Sequence, residues 1–199
     1  MSRGNEGATR RAMRGSARGW LSRLGLVAAG VVLGVGITLV GSGHAGKLQP
    51  PEDPEVLVAL GQLMDTEHRR VDLLLEQGDI AGAIAALEAL RAGEWPDRRR
   101  GGDASIQLRH DAYGRLVRLR LDHPAVDTVT DDALLAIIDE GLGPEADSLD
   151  NNVFTARLVA LRGEVLEKLG RDDDALSAYE RALDINRALL DDLLNESTP

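Results

Sequence analysis

The chain contains no cysteine, which removes disulfides, thiolate metal sites and a cysteine nucleophile at once. It is almost as poor in aromatics, with two Trp, two Tyr and one Phe in 199 residues. A β-sandwich core draws on aromatic and β-branched residues in alternating runs. That shortage, set against abundant Ala and Leu, favours packed helices. Histidine is also sparse. His44, His68, His110 and His123 are scattered, with no i,i+4 pair and no HExxH frame, so a zinc site is not expected. No Walker A loop, GxSxG elbow or dinucleotide fingerprint occurs. Asp172-Asp173-Asp174 lacks the spacing and glycine of an EF-hand loop and reads as charge at a helix N-terminus. No cofactor is implied, and the chain is not expected to be an enzyme.

What is present is first a charge asymmetry. Residues 1–49 hold Arg3, Arg10, Arg11, Arg14, Arg18, Arg23 and Lys47 against the single acid Glu6, a balance of +6; the whole chain is −10, so the remainder is −16. A body that acidic is repelled by phosphate backbones, and no nucleic-acid partner is expected. The asymmetry reads instead as topology. Residues 1–23 are rich in Gly, Ser and Arg and read as a disordered basic tail. Residues 24–46, LGLVAAGVVLGVGITLVGSGHAG, contain no Lys, Arg, Asp or Glu. The apolar heart Leu24–Val40 reaches the shorter end of spanning length, and Trp20, Arg23 and Lys47 flank it as interfacial anchors. The segment is expected to be a transmembrane signal anchor, with a secretory signal cleaved after Ala45 as the competing reading. In either case the positive-inside rule exports residues 47–199. Gly30 and Gly34 form a GxxxG pair, a face through which two spans could dimerise.

Residues 47–53 form a Pro-rich linker. Asp53-Pro54 then reads as cap and first turn of a helix running to Gln77, with Val56, Leu60, Leu63, Val71, Leu74 and Leu75 at helical spacing. Gly78-Asp79 is a turn, and IAGAIAALEALRA follows as a second helix carrying Ala83 and Leu87. Residues 93–102 read as a polar loop in which Trp95-Pro96 clamps the preceding helix pair and Arg98-Arg99-Arg100 is solvated. Asp103 is expected to cap a basic helix, with Arg109, Arg115, Arg118 and Arg120, that ends at His123-Pro124. Thr130 or Asp131 starts the next helix, with Ala133 and Ile137 four apart, ending in Gly141–Pro144. Ser148 or Asp150 is expected to introduce the last pair. Asn195-Glu196-Ser197 matches a glycosylation sequon, a weak signal at that position.

The most regular stretch is 156–189. It reads as two helices around a turn at Gly170-Arg171-Asp172. Small residues Gly163, Ala175 and Ala182 stand where backbones approach, and Leu166, Leu169, Leu176, Tyr179 and Leu183 are placed to fill the space between and around them. Gly163, Leu166, Gly170, Ala175, Tyr179 and Ala182, in this register, resemble the signature of the tetratricopeptide repeat (TPR), a 34-residue helix-turn-helix unit. Val159, Arg162 and Arg187 stand where that family often has Trp, Leu and Pro. Residues 64–95 resemble a diverged repeat. Gly78 and Gly170 are 92 residues apart, which is not a multiple of 34, so a middle repeat would be irregular or carry an insertion in 122–130.

The expected fold is therefore all-α: an N-terminal transmembrane helix, then an irregular array of antiparallel TPR-like hairpins over 54–195. The resemblance implies a concave face lined by first helices, on which the family binds peptides. Carried onto 156–189 it points to Arg157, Ala160, Glu164, Glu167 and Lys168. That set lacks the Lys-and-Asn pattern that clamps C-terminal carboxylates, so a helix or extended segment of a partner protein is the expected ligand. The whole reads as a bacterial inner-membrane scaffold or adaptor with a periplasmic helical domain and, through Gly30 and Gly34, a candidate homodimer. A soluble periplasmic binding module and a single-span sensor are the alternatives.

Overall fold

In a computed structural model the described residues are 53–144 and 151–196. They form six helices: α1 (Pro54–Glu76), α2 (Ile80–Arg91), α3 (Arg98–Asp122), α4 (Asp131–Leu142), α5 (Val153–Lys168) and α6 (Asp172–Glu196). Among the described residues there is no strand, and no helix is long and apolar enough to cross a membrane. The expected tail 1–23, the span 24–46 with Gly30 and Gly34, and most of the linker lie outside these residues.

Side chains that accept from the third residue onward set five of the helix starts. Asp53, Asp79, Asp97, Thr130 and Asn152 accept from the amides of Val56, Gly82, Arg100, Ala133 and Thr155 at 2.8–3.4 Å. Each satisfies an amide that would otherwise be orphaned in the first turn. Two of the helix ends are alike. Gly78 (φ 78°) and Gly170 (φ 69°) take the left-handed conformation. At each, the next amide reaches back to the carbonyl five residues earlier, Asp79 to Leu74 and Arg171 to Leu166, both at 2.9 Å. This is the Schellman stop, and it folds α2 back on α1 and α6 back on α5 with only three residues between them. The middle pair, α3 and α4, is joined by the longer connection 123–130, where the sequence placed an irregularity.

The packing order is regular. α1 packs on α2 and α3, α3 on α4 and α5, and α5 on α6; α2 packs on α3 and α4 on α5. The first helices α1, α3 and α5 thus form a continuous row, and each of α2 and α4 sits between its own first helix and the next. Among the described residues α2 and α4 do not pack backbone to backbone but are tied by Arg91 Nη1 to Glu140 Oε2 at 2.7 Å, and α4 and α6 do not pack on each other. The main core runs through the three hairpins, from Val71, Ala83 and Leu87 to Leu116, Ile138, Leu158 and Leu166. A second cluster at the α1 end joins Leu60, Met64, Leu90, Leu108 and Ala112. Trp95 packs against both clusters and tilts onto the Tyr113 ring, so the expected clamp is present.

Several local expectations are corrected. Arg98–Gly101 is a helical turn capped by Asp97, not loop, and the path breaks at Gly102 (φ 64°). Asp103 is buried there and pairs with Arg98 rather than capping. An unpaired buried carboxylate would be costly, and this pairing draws the polar stretch inward. Asn152, not Ser148 or Asp150, caps α5. Met64 rather than Leu63, and Leu134 rather than Ala133, face the core. On α6 the buried row is Ala175, Ala178, Ala182 and Ile185, while Leu176 and Leu183 are exposed. At Gly163 of α5 it is the Tyr179 ring of α6 that fills the space a Cβ would take.

Candidate functional site

The five residues carried over from the resemblance lie on α5 but do not share one open surface. Ala160 is half-buried against the main core. Arg157 and Glu164 point to α3, with Arg157 Nη1 3.8 Å from Asp111 Oδ1 and Glu164 Oε2 2.7 Å from Arg118 Nη2. Glu167 turns the other way and accepts from the Tyr179 hydroxyl of α6 at 3.1 Å. Lys168 is exposed at the helix end.

Arg157 and Glu164 belong to a charge ladder along the first-helix row. Moving from α1 to α5, Arg115 of α3 pairs with Asp72 of α1, and His68 Nδ1 of α1 stands 3.7 Å from Asp111 Oδ2. Arg118 bridges Asp122 (3.6 Å) and Glu164, and Arg157 returns to Asp111. The middle helix supplies arginines to acids on both neighbours. Burial alone would lower the pKa of Arg118; the hydrogen bond and charge of Glu164, with Asp122, more than offset it and raise it. For His68 burial dominates and lowers the pKa, although Asp111, Asp72 and Asp65 oppose it. These partners were not anticipated. Only the basic run Arg109, Arg115, Arg118 in a strongly acidic body signalled that α3 would have acidic neighbours.

The opposite face differs. A cleft of about 410 Å³ opens between α4 and α6, floored by Val159 and Ala178 and walled by Asp139, Arg162, Asp174 and Arg181. Val159 and Arg162 are two of the three positions where the sequence departs from the repeat signature. Arg162 does not enter the core; it reaches to Asp139 Oδ1 at 2.8 Å. Elsewhere Arg120, 9% exposed, ties α2 to the middle connection through Glu88 (2.6 Å) and Asp127 (2.8 Å).

A buried polar chain joins the second and third hairpins. His110 Nδ1 is 2.8 Å from Thr155 Oγ1, and its Nε2 is 3.3 Å from the Leu142 carbonyl. The Leu142 contact needs a proton on Nε2, so in the neutral ring Nδ1 accepts from Thr155. The chain is structural in character: it is closed on protein groups and wholly buried. Among the described residues no group of three or more His, Cys, Asp or Glu is placed to hold a metal ion.

No family model, curated protein or solved structure matches the chain.

Proposed function

We propose that residues 54–195 are a TPR-like module that binds a protein partner and carries out no chemistry of its own. The observation that supports it most is the packing order. First helix stacks on first helix through three hairpins, and the glycine turns at 78 and 170 have the same hydrogen bonds. Such stacking presents a row of first-helix side chains as one extended surface. Here that surface is an alternation of half-exposed acids and arginines, suited to a helix or extended segment bearing both signs of charge. In this reading residues 24–46 anchor the module in a bacterial inner membrane with the tail 1–23 cytoplasmic, and the module works as a periplasmic scaffold or adaptor. The uncharged run between basic flanks supports that topology.

The test is photocrosslinking in native membranes from Glu164, Lys168 and Asp111, with Ala85 and Asp132, exposed on the second helices α2 and α4, as sites off the row. Capture of one protein from the row and not from the controls is the expected result. Capture only from the controls would overturn the row as the binding surface. The mass of the mature chain tests the anchor separately: a chain beginning at Gly46 would replace it with a cleaved signal.

A further inference from the structure

Helix α6 is 25 residues long and α5 only 16. The side of α6 against α5 is built from Ala175, Ala178, Ala182, Ile185 and the Tyr179 ring. The other side carries Leu176, Leu183 and Leu190, one heptad apart and 58%, 51% and 56% exposed. Among the described residues α6 packs on α5 alone. The end helix of a stacked array keeps its outer face polar when water is its neighbour. A heptad row of leucines is instead the seam of a two-helix pairing.

We propose that a second copy of this chain covers this face, with the two α6 helices antiparallel about a two-fold axis at Leu183. The argument is charge complementarity. With Leu183 against itself, Leu176 meets Leu190 of the second copy. Glu180 and Arg187, both exposed and each three to four residues from Leu183 on either side, then come to facing turns as two symmetric pairs of opposite charge. A parallel pairing in register sets Glu180 by Glu180 and Arg187 by Arg187 instead, which is repulsive. The two-fold contact is self-complementary and closes at two chains. Beyond the outer leucines Asp192 comes opposite Asp174 of the second copy, a like-charge contact between exposed side chains that salt screens. The pairing is independent of Gly30 and Gly34 and of the first-helix row.

The absence of cysteine makes the test direct: single-cysteine variants of the full chain in mild detergent, oxidised and sized. Leu183→Cys is expected to form a dimer-mass disulfide. Leu176→Cys and Leu190→Cys are each expected to form little alone but a mixed disulfide when co-expressed. Glu180→Arg should lower the Leu183→Cys yield roughly tenfold, and adding Arg187→Glu should restore it. Gly30→Ile with Gly34→Ile should leave it unchanged. Equal self-crosslinking at all three positions would mean a parallel pairing and overturn the proposal. So would a monomer at Leu183→Cys with native helix content, dependence on Gly30 and Gly34, or capture in membranes of a different protein in place of the second copy.

Discussion

Gly163 of α5 and Tyr179 of α6 meet with no room for a methyl group: a Cβ at 163 would stand 2.7 Å from Cε1 of the ring. The tyrosine is half-exposed, and its hydroxyl is held by Glu167. The contact brings α5 and α6 together at the level of Gly163, beside the buried Ala178 and Ala182.

Gly163→Ala is therefore expected to be a modest lesion. A helical Ala gains about 1 kcal/mol over Gly, while overpacking costs roughly 1–3 kcal/mol. Because Tyr179 can swing outward, the net loss should be near 1 kcal/mol in urea unfolding. In a Tyr179→Leu background the same substitution should be neutral or stabilising. Additive losses in that double-mutant cycle would show that the ring is not what excludes the methyl group.

Gly141 and Tyr113 repeat the relationship in the middle hairpin, with the glycine on the second helix and the ring on the first. Here a Cβ would lie 2.5 Å from Cδ1 and 2.9 Å from the tyrosine Cβ. Tyr113 is buried, donates to Glu140 at 2.7 Å and packs beside Trp95. A clash at the root of a buried side chain cannot be relieved by rotation. Gly141→Ala should cost more than Gly163→Ala, about 2–3 kcal/mol net. Equal losses would contradict the difference in freedom assigned to the two rings.

The helix ends were legible because their causes are local: Asp53, Asp79 and Thr130 cap within three residues, and Gly78 and Gly170 turn the chain where they stand. The repeat positions Gly163, Ala175, Tyr179 and Ala182 were legible because they record a pairwise close approach. Leu176 and Leu183 were misplaced for a different reason. Hydropathy favours the larger side chain for the core, but the face of α6 turned to α5 carries the alanines and Ile185. Arg98–Gly102 read as loop because composition does not show that Asp103 would be buried and need Arg98. The ladder partners Asp111, Arg115 and Arg118 were missed because they act across about 40 residues of sequence, and a one-repeat resemblance covers only α5.

His68 gives a pH dependence of known sign. Burial holds its folded pKa below the ordinary 6.5, against the pull of Asp111, Asp72 and Asp65. Above pH 6.5 both folded and unfolded chains carry it neutral, and its full contribution is present. As pH falls below 6.5 the unfolded chain binds the proton first, so stability declines until the folded pKa is passed. His68→Met removes this slope. The urea midpoint of the variant, relative to the parent, should rise between pH 7.5 and 5.5; an unchanged difference would mean that His68 titrates alike in both states.

Asn152 is expected to be the most costly of the helix caps to lose. Its Oδ1 accepts from the Thr155 amide at 2.8 Å, and its amide group lies 2.8 Å from Thr155 Oγ1, which in turn holds His110. Thr130 caps α4 at 3.2 Å with no buried chain behind it. Thr130→Ala should thus lose the cap alone, about 1 kcal/mol. Asn152→Ala loses a cap and also the amide that donates to the buried Thr155 hydroxyl, a further penalty of about 1 kcal/mol or more. For a domain of this size each kcal/mol shifts Tm by about 2–4 °C. The Tm of Asn152→Ala should fall at least twice as far as that of Thr130→Ala. Similar losses in the two variants would show that the buried chain between the second and third hairpins re-forms without its asparagine.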